Sequence, residues 1–90
     1  MVIEQFKDRN PVPIYKRFED TGRMMPDGLT YVGSWIEANL HRCFQLMECE
    51  DASKFQEWVA QWRDLVDFEI VPVVPSAETK SLFASLSTNN

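Results

Sequence analysis

Cysteine and histidine are scarce in this chain of 90 residues, with two of the first and one of the second. Cys43 and Cys49 fall six apart in one apolar segment. In a strand that spacing puts both side chains on one face, roughly 20 Å apart. A disulfide needs Cα atoms within about 7 Å, so an internal bridge is excluded. Two cysteines and a lone histidine without ligand spacing also exclude structural zinc. No cofactor or metal is expected. Long hydrophobic runs are missing too: nothing approaches the ~20 apolar residues of a membrane span. Met1 to Phe6 carries no basic region ahead of an apolar core, so no signal peptide is expected there. With free thiols this fits a reducing cytoplasm. Basic clusters are likewise absent. Nine Lys and Arg stand against 14 Asp and Glu, for a net charge of −5, and no basic run exceeds Lys16-Arg17. Nucleic acid and anionic lipid are therefore not expected partners.

What remains must stabilise a small domain. A chain of this length buries only roughly 60–65% of its unfolded surface. Disulfides and metals being excluded, oligomerisation is the remaining means of support.

The sequence reads as β-α-β-β-α-β followed by a short helix. Residues 2–7 form a first strand. Asn10 is an N-cap with Pro11 at the first helical position, and Ile14, Tyr15 and Phe18 recur at helical spacing. Gly22 ends that helix, and Pro26-Asp27-Gly28 makes a turn. Leu29 to Glu37 and His41 to Cys49 pair as a hairpin. Asp51 or Ser53 caps a second helix, whose Phe55, Trp58, Val59 and Trp62 form one apolar stripe. Val66 to Val74 is a fourth strand, with Pro72 at its end. Pro75-Ser76 opens a third helix with Leu82, Phe83 and Leu86 on one side, and Ser87 to Asn90 is expected to fray. The element order is the ferredoxin-like split βαβ, an α+β fold whose antiparallel sheet carries two main helices on one face. Residues 1–75 form the domain; residues 76–90 are the C-terminal helix and tail.

The third strand is apolar on both faces. Phe44 and Leu46 are expected to meet the helices, with Val32, Ile36, Phe68 and Ile70. That leaves Cys43, Gln45, Met47, Tyr31, Trp35, Glu69, Val71 and Val73 on an open face too apolar for solvent. A homodimer through this face is expected. The face is either a dry interface or a pocket lined by aromatics with a few polar groups. A one-residue slip would exchange every face assignment.

A family resemblance rests on Gly22-Arg23-Met24 with Pro26-Asp27-Gly28-Leu29, on Ser34-Trp35, on Arg42-Cys43-Phe44-Gln45-Leu46-Met47-Glu48, and on Asp64-Leu65-Val66-Asp67-Phe68-Glu69. These segments resemble a family of small bacterial proteins catalogued as a domain of unknown function, over about residues 1–75. More distantly the chain resembles the dimeric α+β barrel superfamily. That superfamily contains cofactor-independent monooxygenases, haem-degrading enzymes, muconolactone isomerases and ligand binders. The resemblance implies the dimeric barrel fold and chooses no activity among these.

No residue is assigned a catalytic role. Cys43 and Cys49, among apolar and acidic neighbours, read as poor nucleophiles. His41 reads as a solvated hairpin residue, and Asp64, Asp67 and Glu69, with Glu48 and Glu50 on the third strand, as salt-bridged or as a solvated edge, Arg23 and Arg42 being available partners. Trp58 and Trp62 read as core, with the alternative that an indole N–H reaches a ligand. A ligand, if bound, is expected against Tyr31, Trp35, Gln45, Trp58, Trp62 and Glu69, with Arg23 at the rim. Aromatics offer walls, and Gln45 and Glu69 offer hydrogen bonds that are costly to bury unmet. The leading functional reading is a binding or interaction module. The alternative, from the superfamily, is a cofactor-independent, monooxygenase-like enzyme acting on a small apolar molecule between sheet and helices.

Overall fold

A computed structural model describes residues 1–88 of the chain, and Asn89 and Asn90, where fraying is expected, lie outside them. Local chemistry sets the starts and stops. The Asn10 Oδ1 accepts from the Val12 N–H at 3.1 Å, and the first helix, α1, runs Val12–Thr21. Gly22 takes φ 69°, where a Cβ is unfavourable, and its N–H returns to the Phe18 carbonyl at 2.7 Å. The Asp51 carboxylate accepts from the Ser53 N–H at 2.9 Å, where the second helix, α2 (Ser53–Trp62), begins.

The strands are β1 (Val2–Phe6), β2 (Thr30–Ile36), β3 (Arg42–Glu48) and β4 (Val66–Ile70). They pair antiparallel in the order β2-β3-β1-β4, which is the ferredoxin-like layout expected from the element order. β4 is shorter than the sequence suggests. Val71 still exchanges two hydrogen bonds with Met1, at 2.8 and 2.7 Å. Pro72 then has no N–H to continue the ladder. The core lies between the sheet and the helices: Val2, Leu29, Met47, Trp58 and Trp62, with Tyr31, Phe55 and Phe68 packed against them. Trp58 meets the Phe68 ring edge-on, centroids 5.3 Å apart. Arg17 ties α1 to the end of α2. Its guanidinium donates to both carboxylate oxygens of Asp64 at 2.7 Å and to the Gln61 carbonyl at 3.1 Å.

Two face assignments are corrected. Cys43, Gln45 and Met47 point toward the helices, and Phe44 and Leu46 point to the open face. Glu4 and Val2, which lie on the helix side with the buried Phe6, pair with Cys43 and Gln45. The strand's own pattern could not decide this, because both faces are apolar; the neighbouring β1 does. On β2 the register shifts between Tyr31 and Gly33. That bulge sets Val32 aside, half-exposed, and turns Tyr31 inward opposite Met47. Phe68, Trp35 and Glu69 lie on the faces expected of them. One row on the open face runs across the sheet as Glu69, Ile3, Phe44 and Trp35.

The third helix, α3 (Ser76–Thr88), stands apart. Residues 76–86 are all exposed, Leu82, Phe83 and Leu86 among them. The radius of gyration is 16.3 Å, whereas a compact domain of this length has about 12 Å. No helix among the described residues is long and apolar enough to cross a membrane.

Candidate functional site

Between α1, α2 and the sheet lies a cavity of about 110 Å³, open on one side. Its floor is strand. Val2, Glu4 and Phe6 alternate inward on β1, so the period of two carries a carboxylate onto an apolar face. Cys43 faces Glu4 directly across the ladder, and Gln45 lies one diagonal away. Its walls are aromatic: Tyr15 and Phe18 from α1, Trp58 and Trp62 from α2. Arg23, from the loop after α1, closes the rim.

The loop at Arg23 is tightly held. Both indole N–H groups, of Trp58 and Trp62, donate to the Arg23 carbonyl at 3.0 Å. The next residue, Met24, is in the left-handed region at φ 55°. For a non-glycine residue that costs on the order of 1–3 kcal/mol, sustained here by the two indoles. The guanidinium stacks 3.7 Å over the Tyr31 ring and 5.0 Å from the Phe18 ring. The Tyr31 hydroxyl is 2.7 Å from the Ser34 Oγ, which pins the ring on which Arg23 rests. An indole N–H reaching a ligand is therefore corrected: both donors are engaged by the chain itself.

The polar floor is buried and incompletely paired. Glu4 is 5% exposed and Gln45 is 9% exposed. Burial pushes the Glu4 carboxyl above the usual range, while hydrogen bonds from Gln45 and Cys43 and the charge of Arg23 offset part of that rise. Burial, with the Glu4 charge beside it, pushes the Cys43 thiol up to about 12. Cys43 is thus protonated and unreactive at neutral pH, as its apolar and acidic surroundings suggested. Burial also raises the Tyr15 phenol, with Cys43 and Glu4 adding to it. The Gln45 Oε1 is fully buried and has no hydrogen-bond partner among the described residues.

A pH dependence follows. The folded-state pKa of Glu4 lies above its unfolded value, so its contribution to stability is fully present below the unfolded pKa, about 4.3, and is lost as pH rises through the folded one. Glu4→Gln is expected to melt above wild type at pH 7 and to lose that advantage near pH 4. Thermal denaturation at both pH values checks this, and a variant no more stable at pH 7 contradicts it.

Of the residues expected at a ligand, Arg23, Gln45, Trp58 and Trp62 line this cavity. Tyr31 does not line it and borders it through Arg23. Trp35 and Glu69 lie on the opposite face of the sheet. Sequence reasoning missed Glu4, Phe6 and Ser34. The available signal was Glu4 between Val2 and Phe6, a charged residue at an inward strand position. Elsewhere, a groove of about 770 Å³ runs between residues 71–75 and the start of α2, with mainly apolar walls. Among the described residues no group of His, Cys, Asp or Glu is arranged to hold a metal ion.

No curated protein and no solved structure matches the chain. A family model does, across residues 1–87, joining the sheet domain and α3 in one match; the chain belongs to the family described as Domain of unknown function (DUF3303).

Proposed function

We propose that the protein is a homodimeric binding module that holds a small, largely apolar molecule in the cavity between sheet and helices. The observation that carries this is the cavity floor. Two polar side chains, Glu4 and Gln45, are more than nine-tenths buried beneath aromatic walls. Folding alone gains little from that placement, since buried polar groups cost free energy unless fully paired. Small-molecule sites have this composition: apolar walls with a few convergent polar groups. The cavity, about 110 Å³ and half-open, is smaller than the void of about 150 Å³ that takes up benzene and than the roughly 300 Å³ of ordinary ligand pockets, so it holds at most one ring, part of which stays outside the mouth.

The enzyme reading has less support. Cys43 is held as a thiol. His41 lies in the β2–β3 hairpin, where its N–H donates to the Asn39 Oδ1, and it does not line the cavity. Glu4 is the one group with the character of a general base, a carboxyl raised by burial in a cleft. Nothing beside it has the character of a nucleophile. The homodimer rests on the open face, where Trp35 is 58% exposed in a row with Phe44 and Ile3.

Native mass spectrometry of freshly purified protein tests the ligand. A small added mass, released by mild activation and reduced in Ile14→Trp, which fills the cavity, is the expected result. An unliganded wild-type spectrum, with no gain in melting temperature across a panel of single-ring compounds, would overturn the proposal.

A further inference from the structure

Given that reading, we infer that the ligand is a small aromatic monocarboxylate, of the benzoate class, whose ring enters the cavity and whose carboxylate pairs with Arg23 at the rim. Arg23 is the starting point. The chain has 14 Asp and Glu against nine Lys and Arg, so carboxylates are plentiful for its cations. Arg17, Arg42 and Lys54 each form an ion pair, and Arg23 forms none among the described residues. Glu4 feels its charge but lies beyond ion-pair distance. The Arg23 guanidinium lies instead 3.7 Å over the Tyr31 ring and 5.0 Å from the ring of Phe18, a wall of the cavity. Stacking uses the face of the guanidinium plane. Its N–H donors radiate from the edge, in the fork that takes a carboxylate through two parallel bonds. The group is also held in place. Both indole N–H groups fix the Arg23 carbonyl, and Ser34 pins the ring on which the guanidinium rests. An anchor already ordered loses little entropy when it is engaged.

Size fixes the orientation. The cavity takes one ring at most, with part of it outside the mouth, so a ring substituent comes out at the rim. Phe18, Trp58 and Trp62 present flat apolar walls, and aromatic pairs gain from offset or edge contacts. Charge chooses the substituent. An ammonium group at the rim meets the like charge of Arg23. A carboxylate there meets its opposite, and Tyr15, which also lines the cavity, has a hydroxyl to donate. Glu4 is the acidic side chain on the floor. Burial favours its uncharged form, which weakens its repulsion of an anion. The net charge of −5 opposes an anion at long range. That field is largely screened beyond about 8 Å at physiological salt, whereas a pair at a half-buried guanidinium is screened much less.

Four probes separate the possibilities. Benzoate and benzamide share a shape and differ in charge, benzylamine reverses the charge, and acetate lacks the ring. Each is titrated at pH 7 into isotope-labelled protein, following the indole N–H signals of Trp58 and Trp62 and the guanidinium Nε–H signal of Arg23. The expected result is that benzoate binds about tenfold more tightly than benzamide, the gain of a charge-assisted pair over a neutral hydrogen bond. Acetate is expected to bind more weakly than benzoate. Arg23→Gln, which leaves the backbone carbonyl for the two indoles, is expected to abolish the preference while benzamide still binds. If benzamide matches benzoate on the wild type, or Arg23→Gln keeps the preference, the inference fails and the apolar binding site stands. If acetate matches benzoate, the anion is held without the cavity and the aromatic assignment fails. If benzylamine binds most tightly, Glu4 is the anchor and the assignment to Arg23 fails. If no probe moves either indole signal, the inference fails together with the binding reading beneath it. The probe series on wild-type protein decides the matter even if Arg23→Gln folds poorly.

Discussion

Trp58→Ala is expected to lower the stability of the fold by about 3–5 kcal/mol, the range for removing a large buried aromatic. Trp58 is 2% exposed and belongs to the main core cluster with Val2, Leu29, Met47 and Trp62. Three losses coincide there. The apolar area of the ring returns to water or leaves a cavity that a short strand and a ten-residue helix cannot close. The edge contact with Phe68 disappears. The Arg23 carbonyl keeps only the Trp62 donor, which loosens the loop that holds Met24 in its left-handed conformation. Natural domains have only about 5–15 kcal/mol in total, and one of this size lies at the low end, so the variant is expected to be largely unfolded at 37 °C. Trp58→Phe keeps most of the ring and removes the N–H alone. It is expected to cost about 1–2 kcal/mol, near the value of one buried hydrogen bond with some lost packing. Urea denaturation of both variants checks the order. Equal losses would show that the hydrogen bond to Arg23, not the packing, dominates.

The element order was legible because each element carries its own local chemistry. Asn10 and Asp51 cap helices, Gly22 stops one, and the 3.6-residue stripe of α2 has no strand reading. Strand faces were legible only where one side is clearly polar. β4 alternates Val66, Phe68 and Ile70 against Asp67 and Glu69, and its faces follow from its own sequence. β3 places Cys43 and Met47 against Phe44 and Leu46, so its register is set by its partners and by a bulge at Val32 that no single strand predicts. The same ambiguity governed the site. Gln45 was expected at a ligand as a member of the open face; it lines a cavity on the helix side. Trp58, Trp62 and Arg23 sit beside it because one backbone carbonyl gathers two indoles, a long-range contact without a sequence signature. Trp35 and Glu69 were placed beside Gln45 on the open face by strand alternation; they lie on that face, and the sheet separates them from the cavity. Glu4 was overlooked because a lone carboxylate in a short strand does not itself say which face it takes. Pairing β1 between β3 and β4 makes it central, and that topology belongs to the whole chain rather than to the strand.

Trp35→Glu is expected to turn a dimer into a monomer without unfolding it. Light scattering at micromolar concentration should then fall from twice to once the 10.5 kDa of the chain. Trp35 is 58% exposed in the single chain, and its ring lies back over Gly33, where a Cβ would come within 3.5 Å of it. It contributes little to the core, and exposed substitutions usually change stability by within about 0.5 kcal/mol. In a face-to-face pair the same ring sits in the apolar row with Phe44 and Ile3. Buried Trp residues dominate such interfaces, typically at about 2 kcal/mol or more, and a carboxylate in that place adds an unpaired buried charge. The dissociation constant is therefore expected to rise by at least about a hundredfold. Truncation after Pro75 separates the two exposed apolar features. If the sheet face makes the dimer, loss of α3 leaves the mass at twice the chain. If the dimer instead depends on Leu82, Phe83 and Leu86, truncation gives the monomer and Trp35→Glu has no effect on mass. A wild-type chain that scatters as a monomer at these concentrations removes the dimer from the proposal and leaves the cavity, which is built by one chain alone, to be judged by its ligand.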